Sequence, residues 1–107
     1  SNGIRVAVGC VVVDNLCSFN GNVGTGAGIQ AEGEGRVEGN HLRKNQYGIQ
    51  IPAGATSGKA LVIRNSSVMN TFSDFDLSTN VHSGTILTNS DMPAQFNNSN
   101  PHANFSL

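Results

Sequence analysis

The chain has no tryptophan and only one tyrosine, Tyr47, so the aromatic platforms on which sugar rings commonly stack are nearly absent. Charged residues make up 12%, about half the usual share. With a net charge of −1 there is no electrostatic case for nucleic acid or an anionic membrane, and neither partner is expected. No apolar stretch reaches the roughly 18 residues of a spanning helix. Helix formers are scarce, and Gly or Asn interrupts nearly every short window. Two cysteines, Cys10 and Cys17, are too few for a disulfide framework, and the expectation is two buried free thiols on different strands. Ser1-Asn2-Gly3 shows no secretory leader, so either a signal was removed or the chain is a piece of something longer.

What is present is repetition. Val12, Asn15 and Asn20 recur as Val37, Asn40 and Asn45, and again as Val62, Asn65 and Asn70, at a spacing of 25 residues. A second element precedes each frame: Gly3-Ile4-Arg5-Val6, Gly28-Ile29-Gln30-Ala31 and Gly48-Ile49-Gln50-Ile51, with a degraded copy at Asp76-Leu77-Ser78-Thr79. A fixed period of this size marks a repeat architecture. Alternation of apolar and polar residues makes each element a short strand. Three strands per period, joined by Gly- or Asn-bearing corners, describe one coil of a parallel β-helix. The expected fold is all-β: a right-handed parallel β-helix of three to four coils over residues 1–89, with a C-terminal tail at 90–107 packing on the last coil or wall.

Coils stacked in register predict Ile4, Ile29, Ile49 and Leu77 as one inward row, and Val12, Val37, Val62 and Ile86 as another. Asn15, Asn40 and Asn65 are expected to form a corner ladder. Asn tolerates the left-handed backbone of a tight corner, and stacked amides can hydrogen-bond from coil to coil. Loop lengths fit this register: Asn20 to Gly28 takes eight steps against three from Asn45 to Gly48, while Gly28 to Val37 takes nine against fourteen from Gly48 to Val62. Loops at Gly21 to Ala27 and Pro52 to Lys59 should therefore bulge from the wall.

The combination Gly-Ile-x-Val, Val-x-x-Asn and Asn-x-x-x-x-Asn resembles the right-handed parallel β-helix proteins of the pectate-lyase-like superfamily. The closing Asn100-Pro101-His102-Ala103-Asn104-Phe105-Ser106-Leu107 is similar to tails of secreted bacterial members. The resemblance implies a secreted or cell-surface protein. Family enzymes work on the outer face of one sheet with clustered aspartates, often calcium, and an Arg or Lys base; phage tailspikes and inert modules share the same motifs.

The outward row on the first wall is expected to be Arg5, Gln30, Gln50 and Ser78, without a carboxylate. Glutamine rows can bond sugar hydroxyls, so Arg5, Gln30, Gln50 and Tyr47 are candidate polysaccharide contacts, set against a plain solvated face. Tyr47 is expected to pack beneath the Pro52 loop. Glu32 and Glu34, about 7 Å apart at alternate positions of an extended segment, are weak acid/base candidates, because Gly33 and Gly35 make a flexible corner there. Asp74 and Asp76 have the same spacing and are either a weak calcium pair or the turn before Leu77; no other metal site or cofactor is expected. His41, His82 and His102 show no metal-ligand spacing. On the second wall Val11, Val13, Leu61 and Ile63 point outward, an apolar patch for the tail's Phe96 or Phe105 or for another subunit. Nothing precedes Gly3 to cap Ile4, Val6, Val12 and Cys17, so self-association through the first coil, or further coils upstream, is expected. The leading reading is a non-catalytic extracellular module, either a structural one that self-assembles, as into a filament, or one that passively contacts carbohydrate. The alternative is the last coils of a polysaccharide lyase or glycoside hydrolase with its catalytic residues upstream.

Overall fold

A computed structural model describes residues 1–21, 26–52, 60–78, 81–88 and 101–107. The described chain is all-β, with no helix among these residues. Its strands come in triplets. The first is β1 (Ile4–Val6), β2 (Val11–Val13) and β3 (Leu16–Ser18), and the second β4 (Ala27–Ala31), β5 (Arg36–Glu38) and β6 (His41–Arg43). The third is β7 (Tyr47–Ile51), β8 (Ala60–Ile63) and β9 (Ser66–Val68). The fourth is β10 (Ser73–Leu77), β11 (Val81–Ser83) and β12 (Ile86–Thr88), and a single strand, β13 (Asn104–Ser106), closes the chain. Each triplet gives one strand to each of three parallel sheets, ordered β1-β4-β7-β10, β2-β5-β8-β11 and β3-β6-β9-β13-β12.

Strand alternation puts one face of each sheet in a shared core. Ile29, Val37, Leu42, Ile49 and Val62 are fully buried there, and burying an aliphatic side chain of this size is worth about 1.5–3 kcal/mol. The first three triplets stack as the repeat predicts: Ile4 on Ile29 on Ile49, Val12 on Val37 on Val62, and Cys17 on Leu42 on Ser67. The fourth departs from expectation. Phe75, not Leu77, lies beside Ile49, while Leu77 pairs with Ile51. Ser83, not Ile86, follows Val62, because β11 takes the fourth place in the second sheet and Ile86 belongs to the third. In β10 the shift is by two residues, which keeps an apolar side chain, Phe75, inward, whereas in β11 the place after Val62 goes to the exposed Ser83.

The corners are held by two columns of side-chain amides. The Asn15 backbone N–H and Nδ2 both donate to Asn40 Oδ1, at 2.9 and 3.1 Å. Asn40 donates in the same way to Asn65 (2.9 and 3.0 Å), and Asn65 to Asn104 (3.1 and 3.0 Å). The same amides also reach back to main-chain carbonyls: Asn40 to Val12, Asn65 to Val37 and Asn104 to Val62, each at 2.9 Å. The second column runs Asn20, Asn45, Asn70 and ends on a carboxylate, with Asn70 Nδ2 donating to Asp74 Oδ1 at 2.7 Å. Asn104 thus supplies the fourth rung from far along the sequence, and β13 sits between β9 and β12 inside the third sheet. The intervening tail, Phe96 included, and the tips of both predicted loops lie outside the described residues.

The left-handed corner residue is not the asparagine. Positive φ falls one position earlier, at Asp14, Phe19, Lys44, Arg64 and Met69 (53–59°) and at Gly39 (69°). The asparagines are therefore needed for their amides, while the residue before each one absorbs the backbone cost. The same columns explain the glycine that opens each Gly-Ile element. A Cβ on Gly28 would stand 2.8 Å from Asn45 Nδ2, and one on Gly48 would overlap Ser67 Oγ.

Two outcomes are expected from chemical denaturation. Asn65→Ala, which orphans buried groups on both neighbouring rungs, should cost about 3 kcal/mol against about 1 for the half-buried terminal Asn15→Ala. Equal losses would mean that the columns do not hold the corners. Met69→Gly should stabilise by about 0.5–1 kcal/mol, and Met69→Val should destabilise by more than about 1 kcal/mol, since only the former suits a left-handed φ.

Candidate functional site

The outer face of the first sheet carries a row of Arg5, Gln30, Gln50 and Asp76. Asp76 replaces the expected Ser78 because of the shift in β10, so the row does end in a carboxylate. The row is bonded along its length: Asn2 Nδ2 to Gln30 Oε1 (2.8 Å), Gln30 Nε2 to Gln50 Oε1 (3.3 Å) and Gln50 Nε2 to Asp76 Oδ2 (2.9 Å). These bonds use one N–H and one acceptor site of each glutamine amide, so the row is partly satisfied within itself. Arg5 and Asp76 stand three strand spacings apart, about 14 Å, too far to act together on one glycosidic bond. Tyr47, at the start of β7, packs against Phe72 with ring centroids 5.6 Å apart. Residues 53–59, the loop predicted to cover it, lie outside the described residues.

The other carboxylate candidates do not converge. Glu32 and Glu34 lie in the turn between β4 and β5, Glu34 exposed with φ 60°. Asp74 is committed to the second corner column and also accepts from Ser106 Oγ at 2.6 Å, whereas Asp76 lies on the open face, so the two do not form a calcium pair. Among the described residues no three His, Cys, Asp or Glu side chains come together as a metal site. His41 Nδ1 lies 2.6 Å from Ser66 Oγ on the outer face of the third sheet.

The second sheet is where separate parts of the chain meet. Its outward rows are Val11, Arg36, Leu61 and His82, then Val13, Glu38 and Ile63. Val11 and Val13 are exposed, Leu61 is 37% exposed, but Ile63 is 7% exposed and so is not the open apolar surface that was expected. The returning chain runs beside it: the Arg64 N–H donates to the His102 carbonyl and Arg64 Nε to the Pro101 carbonyl, both at 3.3 Å. Glu38 accepts from both Arg36 and Arg64 at 2.6 Å, so two guanidiniums share one carboxylate. Leu61, Ile63, Arg36, His82, Pro101 and His102 line an open cavity of about 600 Å³. Arg36 was visible as an outlier in its row, but His82 comes from the degraded fourth triplet and His102 from the tail, and nothing in their spacing joins them.

Both cysteines are free thiols; Cys17 is buried and Cys10 only half-buried, contrary to the expectation of two core residues. Burial pushes the Cys17 thiol above its ordinary value of 9.0. The neutral thiol is thus favoured in the folded chain, a contribution present below the unfolded pKa and lost as pH rises through the folded one. A maleimide titration of the native protein should label Cys10 first and Cys17 only on unfolding. Equal rates would place Cys17 at the surface.

No protein-family model, curated protein or solved structure matches the chain, so its likeness to pectate-lyase-like proteins rests on the repeated residues alone.

Proposed function

We propose that the three parallel sheets are the walls of one right-handed parallel β-helix, and that the chain is a non-catalytic structural module that associates end-on. Each of the first nine strands pairs with the strand three places on, or in β9 with the returning β13, which supports one continuous winding. Parallel crossovers of this kind are right-handed in about 98% of cases, which supports the hand.

The observation that carries the role is the end formed by β1, β2 and β3. All three sheets terminate in that one triplet, so three strand edges open in the same direction. Asn15 and Asn20 end the two amide columns there, each donating inward to Asn40 or Asn45. Among the described residues nothing donates to their own Oδ1 atoms. Val11, Leu16 and Phe19, on or beside the same triplet, are 59–70% exposed. Unpaired edges, waiting acceptors and apolar surface together favour another layer of strands, from a second copy or from further rounds of a longer chain. The charge-poor, Asn- and Gly-rich composition is in keeping with a secreted or cell-surface setting.

The enzyme alternative gains nothing from the first-sheet row, where Arg5 and Asp76 stand about 14 Å apart. Sedimentation of the 107-residue chain across the micromolar range should reveal species heavier than 11.2 kDa. A single 11.2 kDa species with β-sheet dichroism at the top of that range would overturn the proposal.

A further inference from the structure

The cavity on the second sheet has a composition that selects one kind of ligand. Its floor is aliphatic, made by Leu61 and Ile63 on β8, with Pro101 and Ala103 of the returning chain along one side. Its polar side chains include Arg36, His82 and His102, and no carboxylate lines it among the described residues. Glu38, beside Arg36, is divided between Arg36 and Arg64, so Arg36 does not have a carboxylate to itself. Asp14 stands on the first triplet, two strands away from the floor. A volume of about 600 Å³ falls within the usual range for small-molecule sites.

We propose that this cavity binds a small amphipathic carboxylate, with its hydrocarbon body on Leu61 and Ile63 and its anionic group against Arg36. A sugar acid is the wrong shape of chemistry for it. The aliphatic floor offers no aromatic face on which a pyranose ring could stack, although Ser83 and Thr85 add hydroxyls to the lining. A metal is equally unsuited, because His82 and His102 have no third ligand beside them among the described residues. The guanidinium is planar and can meet a carboxylate through two parallel bonds, which gives the site a preference for that group over a neutral amide. The binding is independent of end-on association, since β8 and β11 lie in the third and fourth triplets and the open edges in the first.

Calorimetric or ligand-observed NMR titration with 4-phenylbutyrate, 4-phenylbutyramide and galacturonate tests this on the intact chain. Saturable binding of phenylbutyrate is expected, with the amide and galacturonate each weaker. Arg36→Gln should reduce phenylbutyrate affinity about five- to tenfold and remove the preference over the amide, as loss of one charge-assisted contact implies. Arg36→Lys should recover part of the loss, and Arg5→Gln, on the opposite wall, should change nothing. Leu61→Ser should weaken phenylbutyrate and the amide alike. Dichroism confirms that each variant is folded. No saturable binding in the millimolar range, equal binding of acid and amide, galacturonate binding as tight as phenylbutyrate, or an equal loss on Arg5→Gln would each overturn the proposal.

Discussion

The structure depends on the transfer of hydrogen bonds along the two corner columns. In a parallel sheet the strands satisfy one another, but a corner leaves its main-chain groups turned away from the ladder. Here each corner asparagine covers that deficit on two neighbouring layers at once. Its Oδ1 takes the N–H of the asparagine in the layer before, and its Nδ2 serves main-chain carbonyls as well as the next rung. Asn40, Asn45, Asn65 and Asn104 are almost fully buried, and each would be costly without these partners. A buried polar column of this kind fixes the register absolutely, because a slip of one residue would strand every amide in it.

That constraint propagates outward. The residue before each repeated asparagine from Asn15 to Asn70 turns left-handed, and because its side chain points away from the core its identity is free: Asp14, Phe19, Lys44, Arg64 and Met69 share only the sign of φ. These outward side chains can then interact with one another, as Lys44 does over the Phe19 ring at 5.3 Å. The space inside the second corner is filled by amide or hydroxyl groups, so Gly28 and Gly48, the second residues of β4 and β7, have no room for a Cβ. Few charges are needed in such a body. Main-chain pairing and amide columns do the work that ion pairs and helix dipoles do elsewhere, and the two ion pairs on the outer face of the second sheet are solvent-screened and contribute little.

The two ends of the columns differ in kind. At β1, β2 and β3 the columns stop with Asn15 and Asn20, whose Oδ1 atoms accept from none of the described residues. At the far side the chain closes them itself, through Asn104 in one column and the Asp74 carboxylate in the other, and Ser106 links the two by bonding to Asp74. The returning strand β13 is inserted between β9 and β12 in the third sheet, and the residues leading into it run alongside Ile63 and shape the cavity on the second. One segment thus ends the first column and lines the cavity on the second sheet.

The sequence by itself determined the parts that repeat. A spacing held without drift put Val12, Val37 and Val62 in one row and Asn15, Asn40 and Asn65 in one column, because stacking in register is the only way identical layers can each bury the same face. Outward rows such as Arg5, Gln30 and Gln50 followed from strand alternation. The tertiary structure alone decided what breaks the repeat. Phe75 in place of Leu77, Asp76 in place of Ser78 and Ser83 in place of Ile86 came from a fourth triplet whose copy is too worn to count along. The location of the left-handed residue one step before each repeated asparagine from Asn15 to Asn70 came from backbone geometry to which residue type is nearly blind. Asn104 joined the column from 39 residues beyond Asn65, a separation no period announces. The cavity was illegible for the same reason, since it is made where a non-repeating tail crosses a repeating wall, and only three dimensions bring His82, His102 and Arg36 to one place.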